Sequence, residues 1–214
     1  MDRVRSVNVG LPAVHRYLGD AVLTGIFKAP SPGPHRLTPE GVRGDGQGDL
    51  VGHAGPDKAV CVYSFDRYAL WRAECGLDFT APGAFGENLT VDGLDDDAAC
   101  LGDVWQVGTA VLQVTQPRQP CYKLSLRWGV DELPERVRRT GYSGYYLRVV
   151  EPGEVQAGDP VTVVERHPDG VCIRFANQVI HDRAHGEAGL QRVLAVAPIA
   201  LRLRKQLQKR LDYR

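Results

Sequence analysis

No two of the five cysteines in this 214-residue chain form a CxxC pair. Cys61, Cys75, Cys100, Cys121 and Cys172 are odd in number and lie far apart, which argues against a disulfide framework, a zinc ribbon or an iron–sulfur cluster. A reducing cytoplasm is the expected home. No window approaches the roughly eighteen apolar residues of a membrane span, and Met1-Asp2-Arg3-Val4-Arg5 lacks the apolar stretch of a signal peptide. No membrane partner is expected. An excess of one charge is also missing, since 26 basic residues balance 26 acidic ones. Wholesale attraction to a nucleic acid polymer is therefore not indicated, and any anion site must be local. The familiar phosphate fingerprints are absent too, because there is no GxxxxGK[ST] and no GxGxxG that opens a helix.

What is present reads mostly as short strands between glycine and proline punctuation. Val4 to Val9 alternates, Val22 to Phe27 is a β-rich run, and Ala59 to Tyr63 suits a buried strand. Val104 to Val107 and Ala110 to Gln116 flank Gly108-Thr109, a tight hairpin turn. Gly144 to Val150 and Val161 to Glu165 predict two more strands, with Pro152-Gly153 as the turn between them. Many strands and few long helices predict a mainly β (α+β) fold built on a closed or nearly closed barrel with peripheral helices. Ser64 can cap a helix ending near Gly76, and Asp131 can cap another through about Thr140. Past about residue 166 the texture changes to three helices, near 171–180, 187–196 and 198–211, which divides the chain into 1–165 and a small helical unit at 166–214. In the last helix Ile199, Leu203, Leu207 and Leu211 recur every fourth residue among Arg202, Arg204, Lys205, Lys209 and Arg210.

Four stretches can carry chemistry. In Gln116-Pro117-Arg118-Gln119-Pro120-Cys121-Tyr122-Lys123-Leu124, two prolines restrict the backbone around one thiol. Arg118 and Lys123 would favour its ionised form, the one that ligates metals and attacks electrophiles. The competing reading is a half-buried cysteine that packs as a small hydrophobe. Gly41 to Lys58 holds six glycines among Arg43, Asp45, His53 and Lys58, so backbone amides can approach an anion closely; a surface turn with a bonded histidine is the alternative. Phe85-Gly86-Glu87-Asn88-Leu89 offers an acceptor and an amide beside a bend, or only a self-stabilised turn. Gly141 to Tyr146 suits either a pocket wall or a turn entering a strand.

Taken together, Asp45-Gly46-Gln47-Gly48-Asp49, His53-Ala54-Gly55-Pro56-Asp57-Lys58-Ala59, Phe85 to Leu89 and Pro117 to Leu124 resemble, in order and spacing, the motifs of MOSC-domain proteins of the stand-alone YiiM type. These are relatives of the C-terminal domain of molybdenum cofactor sulfurase and of the mitochondrial amidoxime-reducing component. Ala54 departs from the glycine often found after the histidine. The resemblance implies a MOSC-type β-barrel followed by a three-helix domain. It implies molybdenum cofactor as the bound group, with Cys121 as the protein's sulfur ligand to the metal. Lys58, Arg118, Arg43 and Lys123 would meet the cofactor phosphate, and Asp45, His53, Glu87 and Asn88 would contact or support the pterin. The implied reaction is reduction of a small N-hydroxylated base or amidoxime-like compound, with Cys121 and His53 as catalytic candidates and His53 as the candidate proton carrier. A separate electron-donating reductase is then required, because the chain has no clustered cysteines for its own iron–sulfur centre. The alternative is a cofactor or sulfur carrier without turnover. A cysteine hydrolase using Cys121 and His53 draws little support, since no third group orienting the histidine is evident.

Overall fold

The computed structural model describes residues 2–50, 52, 54–182 and 185–213. Strand β1 (Arg3–Val9) alternates exposed and buried residues at its start and is then buried on both faces. Its buried polar side chains are satisfied, as they must be: Ser6 Oγ donates to Asn8 Oδ1 (2.8 Å), and Asn8 Nδ2 donates to Thr90 Oγ1 (2.9 Å). A projecting hairpin follows, β2 (Ala13–Tyr17) with β3 (Asp20–Thr24). Next come the short strands β4 (Ala29–Pro30), β5 (His35–Thr38) and β6 (Gly41–Val42). The remaining strands are β7 (Val60–Ser64), β8 (Leu89–Asp92), β9 (Val104–Val107), β10 (Ala110–Pro117), β11 (Tyr145–Glu151), β12 (Gly153–Val155) and β13 (Val161–Glu165).

Eight strands form one sheet in the order β13-β9-β10-β11-β7-β8-β1-β4, and β12-β5-β6 form a smaller one. Among the described residues only β7 and β8 pair in parallel, and a parallel pair needs a crossover. That crossover contains α1 (Tyr68–Cys75), entered through a 3-10 turn in which Ser64 Oγ accepts from Asp66 N (3.3 Å) and ended at the left-handed Gly76. The large sheet curls until Val4 N donates to Asp159 O (2.8 Å) and Val161 N to Asp2 O (3.0 Å). There Arg3 and Pro160 form an isolated antiparallel bridge, so the two sides of the sheet meet at one point, without a continuous β1–β13 ladder among the described residues. The β4 edge is two residues long and ends in Pro30, which has no N–H to continue a ladder. The closed or nearly closed barrel expected from strand count is met only as a large curled sheet with no closed barrel, and the chain is mixed α/β rather than mainly β.

Two further expectations need correction. Pro152-Gly153 is no free turn, because Gly153 begins β12, which pairs with β5. A Cβ at Gly153 would lie 2.3 Å from Ala110 N, so the close approach of two backbones selects glycine there. Asp131 does not cap its helix: α3 (Leu133–Thr140) has Glu132 at its N-cap without a side-chain bond, and Asp131 instead gives its carbonyl to Ser125 Oγ (3.1 Å). The sequence reading also passed over α2 (Lys123–Trp128).

The C-terminal helices are α4 (Ile173–His181), α5 (Gly186–Ala195) and α6 (Leu201–Asp212). They bury Ile173, Val179, Leu190, Val193, Leu203 and Leu207 in the same apolar cluster as Val4, Trp105, Leu112 and Leu147 of the sheet. A second cluster, rich in aromatics, lies around α1 and α3, where Phe85 stacks on Tyr63 with ring centroids 4.0 Å apart. These two clusters fix the ends of β7, β8 and β10, and the site lies where those ends meet.

Candidate functional site

Strand β10 ends at Pro117, and Arg118 N still donates to Gly144 O (2.9 Å), so the ladder holds the chain as it leaves the sheet. Cys121 follows, and its carbonyl accepts from Leu124 N (3.0 Å) at the start of α2. The cysteine is thus held between a buried strand and a helix. It lines a cleft whose other walls are Thr24 to Ile26, the Gly46 to Asp49 loop, Asn88 and Tyr146. Four cationic side chains, Lys28, Lys58, Arg118 and Lys123, line this cleft against one carboxylate, Asp49.

The polar framework follows from hydrogen-bond bookkeeping. Asn88 accepts from Cys61 N (3.1 Å) through Oδ1 and donates to Asp45 Oδ2 (2.8 Å). Asp45 also accepts from Gly10 N (3.0 Å) and from the ammonium of Lys28. The Lys28 and Asp45 side chains are only 7% and 3% exposed. A buried ion pair of this kind gives little net stability, but it ties the segment after β3, the glycine loop and the start of β8 together. Glycine is needed where these pieces meet: a Cβ at Gly48 would stand 2.4 Å from Leu23 O.

Arg118 is buried, yet its Nη1 has no hydrogen-bond partner among the described residues. Burial works against its charge, while Cys61, Tyr146, Cys121 and Glu87 work for it and leave its pKa above the ordinary value. Burial pushes the Cys61 thiol up to about 11 and raises Tyr146 as well, so both are neutral near pH 7. The anions that hold Arg118 charged are then Glu87 and, when ionised, Cys121. Lys58 donates to Gly52 O (2.6 Å), and burial followed by repulsion from Arg202 moves its pKa down.

The cleft therefore gathers Lys58, Asn88, Arg118, Cys121 and Lys123, with Asp45 acting on it through Lys28 and Asn88. Arg43 does not line it: its side chain is exposed, and its backbone bonds to Arg36 O and His35 hold it in the small sheet. Glu87 does not line it either. Its carboxylate is fully buried and accepts from the Tyr68 hydroxyl, Gly83 N (2.9 Å), Phe85 N (3.0 Å) and Thr90 Oγ1 (2.6 Å), which makes it the tie of the 83–90 loop. His53 lies outside the described residues. Sequence reasoning missed Lys28, Thr24 and Cys61; the break at Gly25 inside an otherwise β-rich run was the available signal for the first two. Tyr146 belonged to the stretch weighed as a pocket wall, and it is one.

A profile of the MOSC domain matches residues 49–162, and one of the YiiM-like, 3-alpha helix domain matches residues 171–213. The chain is 41% identical over 209 residues to YflK, an uncharacterized protein of Bacillus subtilis, covering 98% of this chain and 94% of that one. The crystal structure of YiiM from Geobacillus stearothermophilus superposes with a TM-score of 0.83 at 33% identity, covering 99% of this chain and all of the other. A protein of Gibberella moniliformis named "Reductase" is 37% identical over 152 residues, 70% of this chain but only 27% of its own length. With its glycine-loop cleft, its proline-flanked thiol and its three C-terminal helices, the chain belongs to the MOSC-domain family and carries a YiiM-like helical domain.

Proposed function

We propose that the protein is a molybdenum-cofactor-dependent reductase of small N-hydroxylated compounds. The observation that carries this reading is the Cys121 thiol beside four cationic side chains, one of which, Arg118, keeps a buried N–H without a partner among the described residues. Among the described residues no group of three or more His, Cys, Asp or Glu side chains could hold a bare metal ion. A metal bound at Cys121 would need further ligands from an organic group, and an anionic group suits the cations present. The donor set fits: Cys121 would supply one soft sulfur, and Arg118 and Lys123 would meet phosphate oxygens. When bound, the cofactor supplies the two-electron redox chemistry that removes oxygen from nitrogen.

The chain's own part is binding and orientation. Pro120 and the Leu124 N bond fix the Cys121 backbone, so the sulfur direction costs no ordering on binding. Lys58, with its lowered pKa, is a proton donor better matched to neutral pH than an ordinary lysine, and it borders the same space as Cys121. Electrons come from a separate reductase in this reading. The name of the Gibberella relative supports the reaction class.

The test is Cys121→Ala in a host that makes the cofactor. Molybdenum content and reduction of N-hydroxylated bases should both be lost while the circular dichroism spectrum is unchanged. Full activity in that variant would rule the mechanism out. Wild-type protein that retains the cofactor, reduces nothing and transfers it to an apo-enzyme would establish a carrier instead.

A further inference from the structure

Cys100, in the connection between β8 and β9, faces Cys172, the N-cap residue of α4, in an isolated antiparallel bridge. The bridge follows from how α4 begins. Its N-cap makes no side-chain bond, so the first N–H groups of the helix need other acceptors. The 96–101 segment supplies them: Ile173 N donates to Ala99 O (2.9 Å) and Arg174 N to Asp96 O (2.8 Å), while Leu101 N donates back to Val171 O (2.8 Å). The two cysteines therefore stand between two widely spaced bonds and exchange none themselves. In that position of an antiparallel pair Cα atoms are about 4.5 Å apart and facing side chains are closest. A disulfide spans roughly 4.4–6.8 Å between Cα atoms.

Side-chain direction agrees with the spacing. Ala99, Leu101, Val171 and Ile173 are buried in the main apolar cluster, so the alternation of extended chain turns Cys100 and Cys172 together to the opposite face. Both are half-buried there, as free thiols. Burial, then Asp103 and Cys172, push the Cys100 thiol up to about 11, against the pull of Arg166 and Arg192. Two thiols that oppose each other's ionisation are near neighbours. The backbone around them is braced as well. Cys100 N donates to Asp103 Oδ2 (3.2 Å), Arg166 Nη1 donates to Ala98 O (2.8 Å) and to Asp103 Oδ2 (2.7 Å), and His167 N donates to Asp103 Oδ1 (3.0 Å). The buried Asp103 carboxylate thus ties the 98–103 segment to the chain that leads into α4. Among the described residues no other two cysteines are partners in a bridge or a ladder.

We infer that Cys100 and Cys172 are a redox latch, which a small-molecule disulfide oxidises to a cross-link between the sheet unit and the start of α4. One of the two, as its thiolate, attacks the external disulfide, forms a mixed disulfide and releases one small thiolate. The other, deprotonated in turn, attacks the protein sulfur of the mixed disulfide and releases the second. Two protein thiols are oxidised, one external disulfide is reduced, and the two protons end on the released thiols. The bond closes a loop of about 70 residues, which restrains the unfolded chain more than the folded one. Neither cysteine lines the Cys121 cleft, so the latch is independent of the proposed reduction.

The experiment incubates the whole purified protein with glutathione disulfide and maps its peptides without reduction. The 100–172 linked peptide is expected, and Cys75→Ser should leave its yield unchanged. Cys100→Ser and Cys172→Ser should each lose it, and a glutathione adduct on the cysteine that remains marks that residue as the first attacker. Thermal unfolding gives a second readout. The linked protein should melt about 10 °C above the reduced one, the effect of closing such a loop in a chain of this size, and dithiothreitol should reverse the shift. Neither serine variant should show it. Wild-type protein that stops at adducts, or that links Cys100 or Cys172 to Cys121 instead, would overturn the inference. So would a linkage found only between two copies of the chain. Linked protein that melts below the reduced form would overturn it too, because the bond would then distort the bridge rather than fit it.

Discussion

Replacing Glu87 with alanine tests whether this carboxylate supports the loop or touches a ligand. The change strands three donors, the Tyr68 hydroxyl, Phe85 N and Thr90 Oγ1, while Gly83 N keeps its bond to Thr90 Oγ1 (3.3 Å). A buried donor left unpaired costs about 1–3 kcal/mol, so three set a range of roughly 3–9 kcal/mol before relaxation. Gly83 and Phe85 lie on a connection, which can shift to recover part of this. An expected loss of about 4 kcal/mol is therefore a large share of the roughly 5–15 kcal/mol that holds a domain folded. For a chain of this length it should lower Tm by about 12 °C. Glu87→Gln keeps the shape but turns an amide N–H toward existing donors, and should cost about half as much. Urea unfolding followed by tryptophan fluorescence reads both variants, because Trp71 lies in the same aromatic cluster as Phe85. A Tm change below about 2 °C in the alanine variant, together with loss of bound cofactor, would refute the reasoning and return Glu87 to the ligand.

Three other outcomes are expected. Burial pushes the Asp96 carboxyl up to about 7, although Ser143 N and Gly144 N bond to it. A folded pKa above the unfolded value of about 3.9 means that the folded state binds the extra proton, so this contribution to stability falls as pH rises from about 4 to about 7 and is flat above. Asp96→Asn should remove that fall, shrinking the difference in urea stability between pH 5 and pH 8 by about 2–4 kcal/mol; an unchanged difference would disprove the assignment. Gly48→Ala sets a Cβ 2.4 Å from Leu23 O and should cost about 2 kcal/mol while loosening the glycine loop, measured as Tm and as molybdenum retention. Charge reversal at the exposed Lys205 and Lys209 should slow turnover with the physiological electron donor but not with an artificial one. Equal rates with both donors would remove α6 as the docking face.

The elements that read well from sequence carry their own local causes. Gly108 takes a φ of 55° in the β9–β10 turn, Gly76 closes α1 in the left-handed region, and the Leu203 and Leu207 pattern of α6 faces the core. What stayed hidden depends on partners far along the chain. Gly153 is a strand residue only because β5 lies beside it, and Glu87 is a loop tie only because Tyr68 and Thr90 converge on it. Lys28 enters the cleft because Asp45, seventeen residues later, neutralises it. The odd number and wide spacing of the cysteines likewise argued against a disulfide framework, whereas the fold sets Cys100 and Cys172 opposite each other. Cys121 was legible because its constraints, two prolines and two cations, are its immediate neighbours.

The position of β1 bears on how the chain is made. Its ladder partner β8 begins some 80 residues later, and the bonds from Val4 to Asp159 and from Val161 to Asp2 wait for a segment later still. The start of β1 is therefore among the last parts of the fold to be secured. Until then only its far end is held, by the nearby β4 at Val7 and Val9, and the Val4 end stays an unpaired edge, the kind of surface that misassembles during slow, non-local folding. A bulky N-terminal fusion should be felt most at this late stage, as a lower yield of folded protein rather than an altered native state.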